Sequence, residues 1–179
     1  AKTRMLDTLQ ALRALADGDV AAAGSAAYAI AVDLGDLARR AVESARSRAG
    51  DVTLTLQLPH DDALVQGSPA GLRLAIGNLV ANALRHAHAQ RIEVGVQRRD
   101  GAIVVWVDDD GVGLPAAERE LVFARFTRGS QATGSGSGLG LALAAQQAEL
   151  HGGRVGLTES PWGGLRAEFE IPAVQPGSS

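Results

Sequence analysis

The stretch from Leu72 to Ala87 limits this chain to layered folds. On a helix turning about 100° per residue, Leu72, Ile76, Leu79, Val80, Ala83 and Leu84 form one broad apolar stripe. Asn78, Asn82, Arg85 and His86 fall on the other side, within an arc of roughly 100°. So wide a stripe must be buried against a second layer. The polar arc then either meets water or lines a site. Asn is a mediocre helix former, and wet faces usually carry Glu, Lys or Gln. Two carboxamides one turn apart, followed by a guanidinium and an imidazole, suit a phosphate chain and its metal. From these residues alone both readings stay open.

Composition narrows the choice. At 179 residues the chain has the length of one domain, with room for an appendage. Hydrophobic residues make up 46% but aromatics only 3%, so the core must be built from Ala, Val, Leu and Ile. A formal charge of −3 gives no support for broad electrostatic binding to nucleic acid. No apolar run approaches the roughly 20 residues that span a bilayer, and nothing reads as a signal peptide. Without cysteine there is no disulfide framework and no thiolate metal site. The basic residues are Arg except for Lys2. A P-loop and a eukaryotic-type protein kinase both need a phosphate-contacting Lys within the fold, so neither can be built here.

Along the chain, Met5, Leu9, Leu12 and Leu15 recur at helical spacing, as in one arm of a coiled coil or helical hairpin. The Ala- and Gly-rich stretch from Asp17 to Tyr28 reads as a linker. Asp33 opens a helix with Leu34, Leu37, Ala38, Ala41 and Val42 inward, ending near Gly50. Val52, Leu54, Leu56 and Leu58 alternate as a half-buried strand, and Pro59 to Pro69 reads as a loop. After the central helix, Arg91–Arg98 and Ala102–Val107 form strands around the hairpin signal Asp100-Gly101. A helix from about Leu139 to Leu150 stops at Gly152-Gly153. Strands Arg154–Thr158 and Leu165–Ile171 flank a turn at Pro161–Gly164. The mixture lacks strict βαβ alternation, which predicts an α+β layer of helices on a sheet.

Three further segments carry chemistry. Asp108-Asp-Asp-Gly-Val-Gly follows a strand directly, a way to deliver one carboxylate into a pocket while Gly111 and Gly113 allow a sharp turn. A carboxylate only accepts, so it suits an exocyclic amine such as that of adenine. An acidic surface turn fits the same residues. Gly134-Ser-Gly-Ser-Gly-Leu-Gly-Leu runs into an apolar helix, whose first N–H groups bind anions, although a flexible linker shares this composition. It fails the dinucleotide fingerprint, lacking a Gly three residues after any Gly-x-Gly. Between these segments, Phe123 and Phe126 stand beside Arg125 and Arg128. They suit either a loop latched to the core with an Arg on a terminal phosphate, or a satellite apolar cluster.

In their order, these segments resemble the ATP-binding catalytic domain of bacterial sensor histidine kinases, within the ATPase superfamily of gyrase, Hsp90 and MutL. The likeness covers about residues 30–172. Asn78–Ala87 is similar to the N box, Asp109-Asp-Gly-Val-Gly to the first glycine box and Phe123–Arg128 to the F box. Gly136-Ser-Gly-Leu-Gly-Leu is similar to the second glycine box, and Gly163-Gly164 to a weaker third. The Arg- and Ala-rich texture points to an actinobacterial member. The fold so implied is a two-layer α/β sandwich, with a mixed, mostly antiparallel sheet packed on helices (Bergerat-type) and a mobile ATP lid. The domains implied are residues 1–29 as the remnant of a helical dimerisation and phosphotransfer hairpin with its linker, 30–173 as the ATP-binding catalytic domain, and 174–179 as a tail.

The resemblance also implies roles. Asn82 would ligate Mg²⁺ bridging the phosphates of ATP, with Asn78 close by. Arg85, where the family often has Lys, would contact phosphate beside His86. Asp109 would accept from the adenine amine in a pocket shaped by Gly111 and Gly113. Gly136, Gly138, Leu139 and Gly140 would cradle phosphates, and Leu114 to about Ser135 would form a lid carrying Phe126 and Arg128. Asn78, Asn82 and Arg128 would act at the transferring phosphate. Leu165 replaces the usual Thr after the third glycine box, so Gly163-Gly164 receives no ligand role.

Hydrolysing and Ser/Thr-phosphorylating relatives place a Glu four residues before the Mg²⁺ Asn. Here that position is Asn78, and a carboxamide is no general base at neutral pH. The γ-phosphate would then be kept for a histidine on the adjoining dimerisation domain. None of His60, His86, His88 or His151 sits on such a hairpin, so the phosphoacceptor is expected outside this chain. Further partners implied are a cognate response regulator and a second copy within a membrane-anchored homodimeric parent, with no nucleic acid. The location implied is the cytoplasmic side of an inner membrane. The alternatives are an anti-sigma-type Ser kinase, an ATPase of the same superfamily, and a non-enzymatic nucleotide-binding module.

Overall fold

The alternations and stripes become helices on a sheet in the computed structural model, which describes residues 30–86, 88–123 and 139–174. In chain order the elements are β1 (Ala31–Asp33), α1 (Leu34–Ala49), β2 (Thr53–Gln57), β3 (Leu64–Gln66), α2 (Pro69–His86), β4 (Arg91–Arg99), β5 (Ala102–Asp109), α3 (Gly140–Leu150), β6 (Arg154–Glu159) and β7 (Leu165–Pro172). Two one-turn 3-10 helices, Ala116–Glu118 and Leu121–Phe123, follow β5. No helix among the described residues is long and apolar enough to cross a membrane.

The main sheet has the order β2-β4-β5-β7-β6, with β2 parallel to β4 and every other pair antiparallel. The expected mixed, mostly antiparallel sheet packed on helices is therefore what forms. Asp100 (φ 50°) and Gly101 (φ 80°) make the tight turn between β4 and β5, as their types require of a two-residue hairpin. β1 and β3 pair separately as a small antiparallel ribbon, so the stretch from Pro59 to Pro69 is not all loop. Each has three residues, too few for alternation to show.

Helix α1 packs over β2 and β4, α2 over β4, β5 and β7, and α3 over β6 and β7. Between the layers lie Leu34, Val42, Leu72, Ile76, Leu79, Val80, Ile92, Val94, Ile103, Phe169 and Ile171, all essentially inaccessible. Each such aliphatic side chain contributes roughly 1.5–3 kcal/mol of transfer free energy. Local signals set the helix ends. The Asp33 carboxylate caps α1 through the Gly35 N–H at 2.8 Å. At the end of α3, Gly153 N–H bonds to Ala148 O and Gly152 N–H to Glu149 O, a Schellman closure with Gly152 at φ 71°.

His151 ties the end of α3 to the start of α2. Its Nε2 accepts the Ser68 N–H at 3.0 Å, which leaves Nδ1 to carry the proton and donate to the Gln147 carbonyl at 2.6 Å. Burial pushes the imidazole pKa down, against the smaller opposing effect of the Gln147 carbonyl. Among the described residues, no helix covers the opposite sheet face. There Trp106 lies across Gly95, where any Cβ would collide with the indole ring. Arg99 bridges Glu168 at 2.9 Å and Glu170 at 3.2 Å, and Arg154 adds a bond to Glu170 at 3.0 Å.

Candidate functional site

Three successive aspartates at the end of β5 take three different positions. Strand alternation sends Asp108 to the open face, where Arg166 Nε donates to its Oδ1 at 2.7 Å and Nη2 bonds to its Oδ2. Asp109 turns to the helix side and is 3% exposed. Asp110 caps the start of β4, its Oδ1 accepting the N–H groups of Gln90 (2.8 Å) and Arg91 (2.9 Å). The Arg91 and Gln90 amides hold the Asp110 carboxyl below the usual range.

Asp109 has the ligand-like environment. Its Oδ1 accepts Gly111 N–H at 2.9 Å and Leu165 N–H at 3.2 Å, and its Oδ2 receives no donor among the described residues. Burial raises its pKa, the Gly111 and Leu165 amides oppose this, and the charges of Asp110 and Asp108 add to the rise. Gly113 stands at φ 67°, with the carbonyls of Gly163 and Gly164 each 3.4 Å from its ideal Cβ position. The Gly111-Val-Gly113 turn therefore rests on the β6–β7 turn.

On α2, Asn78 and Asn82 are half-buried and Arg85 is exposed, its Nε bonding back to Ala81 O at 3.2 Å. Asn78 Nδ2 is buried without a partner among the described residues. Its Oδ1 is 3.6 Å from the ideal Cβ position of Gly140, the first residue of α3. Among the described residues no side chain caps that helix, and Leu139 at its N-cap is buried. An orphan carboxamide thus lies beside uncapped helical N–H groups, an arrangement suited to an anion. His86 closes α2, and its side chain lies outside the described residues, as do Phe126, Arg128, Gly136, Gly138 and residues 1–29. Of the segment expected to form the lid, Leu114 and Phe123 are partly buried against the core and Val122 is buried within it.

The donor set fits a nucleotide with its metal. Asp109 keeps one free acceptor, and Asn78 one unused donor. No group of three His, Cys, Asp or Glu among the described residues could cage a metal ion. A hard cation here would be shared between a carboxamide oxygen, phosphate oxygens and water, a set that suits Mg²⁺.

Sequence reasoning missed the support under Asp109. Ser160 Oγ donates to the Asp109 carbonyl at 2.6 Å, and Gly164 packs directly against Asp109. The Gly163-Gly164 pair was visible, yet no local pattern marks Ser160. The division of labour among the aspartates was accessible from the two-residue period of the strand. Arg91, stacked 3.6 Å from the Trp162 ring centroid, also escaped notice.

Residues 67–175 match the family of histidine kinase-, DNA gyrase B-, and HSP90-like ATPases. The chain is 42% identical over 171 residues to the sensor-type histidine kinase PrrB of Mycobacterium tuberculosis, covering 96% of this chain and 37% of that one. It is 38% identical over 123 residues to the sensor histidine kinase CpxA of Escherichia coli, covering 67% and 27%. The chain thus spans little more than a third of the length of its PrrB relatives. Among solved structures, the ATP-binding domain of PrrB from Mycobacterium tuberculosis matches with TM-score 0.70 and 37% identity, over 83% of this chain and 99% of that one. The mycobacterial sensor histidine kinase MprB matches with TM-score 0.73 and 29% identity, over 80% and 97%. Fold, motif order and similarity agree: this chain belongs to the histidine kinase-, DNA gyrase B-, and HSP90-like ATPase family.

Proposed function

We propose that the chain is the nucleotide-binding half of a sensor histidine kinase, which binds Mg·ATP and presents its γ-phosphate to a histidine on an adjoining helical domain. The observation that carries this reading is Asp109, a buried carboxylate with Oδ1 held by two backbone amides and Oδ2 left to accept from an adenine amine. Asn78 and the uncapped start of α3 supply donors for the phosphates, with Arg85 at the exposed edge. Asn82 is the residue assigned to Mg²⁺, which when bound supplies charge neutralisation on the phosphate oxygens. Gly136, Gly138, Leu139 and Gly140 are assigned to the phosphate cradle, and Phe126 and Arg128 to the lid.

The acceptor reading rests on Asn78. Where a base for water or hydroxyl would be needed, this chain has a carboxamide, which cannot take a proton at neutral pH. Transfer then needs an imidazole supplied by another domain. Similarity to the sensor histidine kinases PrrB and CpxA supports a sensor-kinase setting. The partners that go with this reading are a response regulator downstream and a membrane-anchored homodimeric parent whose catalytic part faces the cytoplasm.

Incubation with γ-³²P-labelled ATP tests this. The chain alone is expected to stay unlabelled and to hydrolyse slowly, and a dimeric helical domain bearing a PrrB-type histidine is expected to gain acid-labile label when added. Acid-labile label on the chain itself would sink the acceptor assignment. Steady hydrolysis well above background would favour the ATPase alternative.

A further inference from the structure

The turn between β6 and β7 is organised around one buried hydroxyl. Ser160 is 5% exposed. Its Oγ donates to the Asp109 carbonyl at 2.6 Å and accepts the N–H groups of Trp162 at 3.2 Å and Gly164 at 3.1 Å. A hydroxyl has one donor and two acceptor sites. All three are used, so its proton is directed at Asp109. Immediately after Gly164, Leu165 N–H donates to Asp109 Oδ1 at 3.2 Å. The same short turn therefore grips Asp109 twice, at its carbonyl and at its carboxylate.

We propose that Ser160 is a positioning residue for purine recognition, fixing which oxygen of Asp109 remains for the exocyclic amine of the bound base. This rests on the nucleotide reading above and adds a residue that acts through Asp109 without needing to touch the ligand. A purely structural role would place its effect on the hairpin. The hairpin, however, has its own bonds. Ser160 N–H bonds to Gly164 O at 3.1 Å, Gly163 N–H bonds to Ser160 O at 3.1 Å, and the β6–β7 ladder runs from Arg154↔Glu170 to Glu159↔Leu165. Loss of the hydroxyl leaves these intact, takes the Oγ acceptor from the Trp162 and Gly164 amides, and releases the end of β5. With Leu165 N–H no longer aligned, both carboxylate oxygens compete for Gly111, and the free acceptor loses its fixed direction.

The test is calorimetric titration of the full chain with Mg·ATP and with Mg·purine riboside triphosphate, which lacks the 6-amino group. The variants are Ser160→Ala, Ser160→Cys and, as reference, Asp109→Asn. The thiol is bulkier than the hydroxyl and a weak donor, so Ser160→Cys fills the space that Ser160→Ala empties without restoring the bond. Unfolding curves confirm that each variant is folded. Both Ser160 variants are expected to bind ATP about tenfold more weakly, while the analogue changes less than about twofold. The proposal is overturned, with the nucleotide reading intact, if Asp109→Asn abolishes the preference for ATP and the Ser160 variants keep it. It is equally overturned if both nucleotides weaken together or if Ser160→Cys restores ATP affinity. If the wild-type chain shows no preference for ATP, or Asp109→Asn retains it, the nucleotide reading fails and this inference with it.

Discussion

Gly164 is seated so tightly on Asp109 that a Cβ there would overlap the Asp109 carbonyl oxygen and stand 2.5 Å from its Oδ1 and 2.7 Å from Gly111 N. These obstacles include backbone atoms, which cannot rotate away. Gly164→Ala must therefore push the β6–β7 turn off the end of β5. We expect a loss of about 1–3 kcal/mol in urea unfolding and of at least about tenfold in Mg·ATP affinity. A variant with wild-type affinity would show that the contact does not shape the pocket.

Asp109→Asn should separate stability from function. The amide oxygen still accepts the Gly111 and Leu165 amides, and the buried charge beside Asp108 and Asp110 disappears. Because burial raises the Asp109 pKa in the fold, its protonated form is favoured there, and that contribution is lost as pH rises through the folded-state value. At neutral pH the Asn variant should be about 0.5–2 kcal/mol more stable than wild type without nucleotide. The advantage should shrink as pH falls towards the ordinary carboxylate range. A less stable Asn variant at neutral pH would contradict this.

Arg166 and Asp108 should behave as a coupled pair. Asp108 is 1% exposed and takes two bonds from the guanidinium, which itself crosses near Trp106 with 5.8 Å to the ring centroid. Arg166→Ala strands a buried carboxylate and should cost about 3 kcal/mol, the low end for a buried pair because the guanidinium is partly exposed. Adding Asp108→Asn should recover part of that loss, and additivity in a double-mutant cycle would refute the pairing.

His151 predicts a pH dependence of opposite sense. Burial lowers its folded-state pKa, so the neutral ring is favoured in the fold while the unfolded chain takes up a proton below about pH 6.5. Its contribution is complete above that pH and declines as pH falls towards the folded-state value. Thermal unfolding from pH 8 to 5 should show the stability gap between wild type and His151→Gln narrowing. A gap that widens would place the charged ring in the fold.

The long elements were legible because their patterns are long. The stripe of Leu72, Ile76, Leu79, Val80 and Ala83 and the alternation through Ile92, Val94 and Val96 each extend over several repeats, and all eight are buried. β1 and β3 are too short to show a period, and their pairing depends on residues more than 30 positions apart. Asp109 was legible as a motif and strand alternation separates it from Asp108, but nothing local names Arg166 or the start of β4 as the neighbours' partners. Ser160 was not legible at all. Its significance lies in a bond to a residue 51 positions away, and nothing in Glu-Ser-Pro-Trp announces it.

The nucleotide reading requires Mg·ATP to be held by Asp109 at one end and by the carboxamide face of α2 at the other. Calorimetric titration of wild type, Asn82→Ala and Asp109→Asn with Mg·ATP tests it most directly. Saturable one-site binding by the wild-type chain in the micromolar range is expected, weakened at least about tenfold in each variant. Wild-type affinity in both variants, or no binding by the wild-type chain, would contradict it.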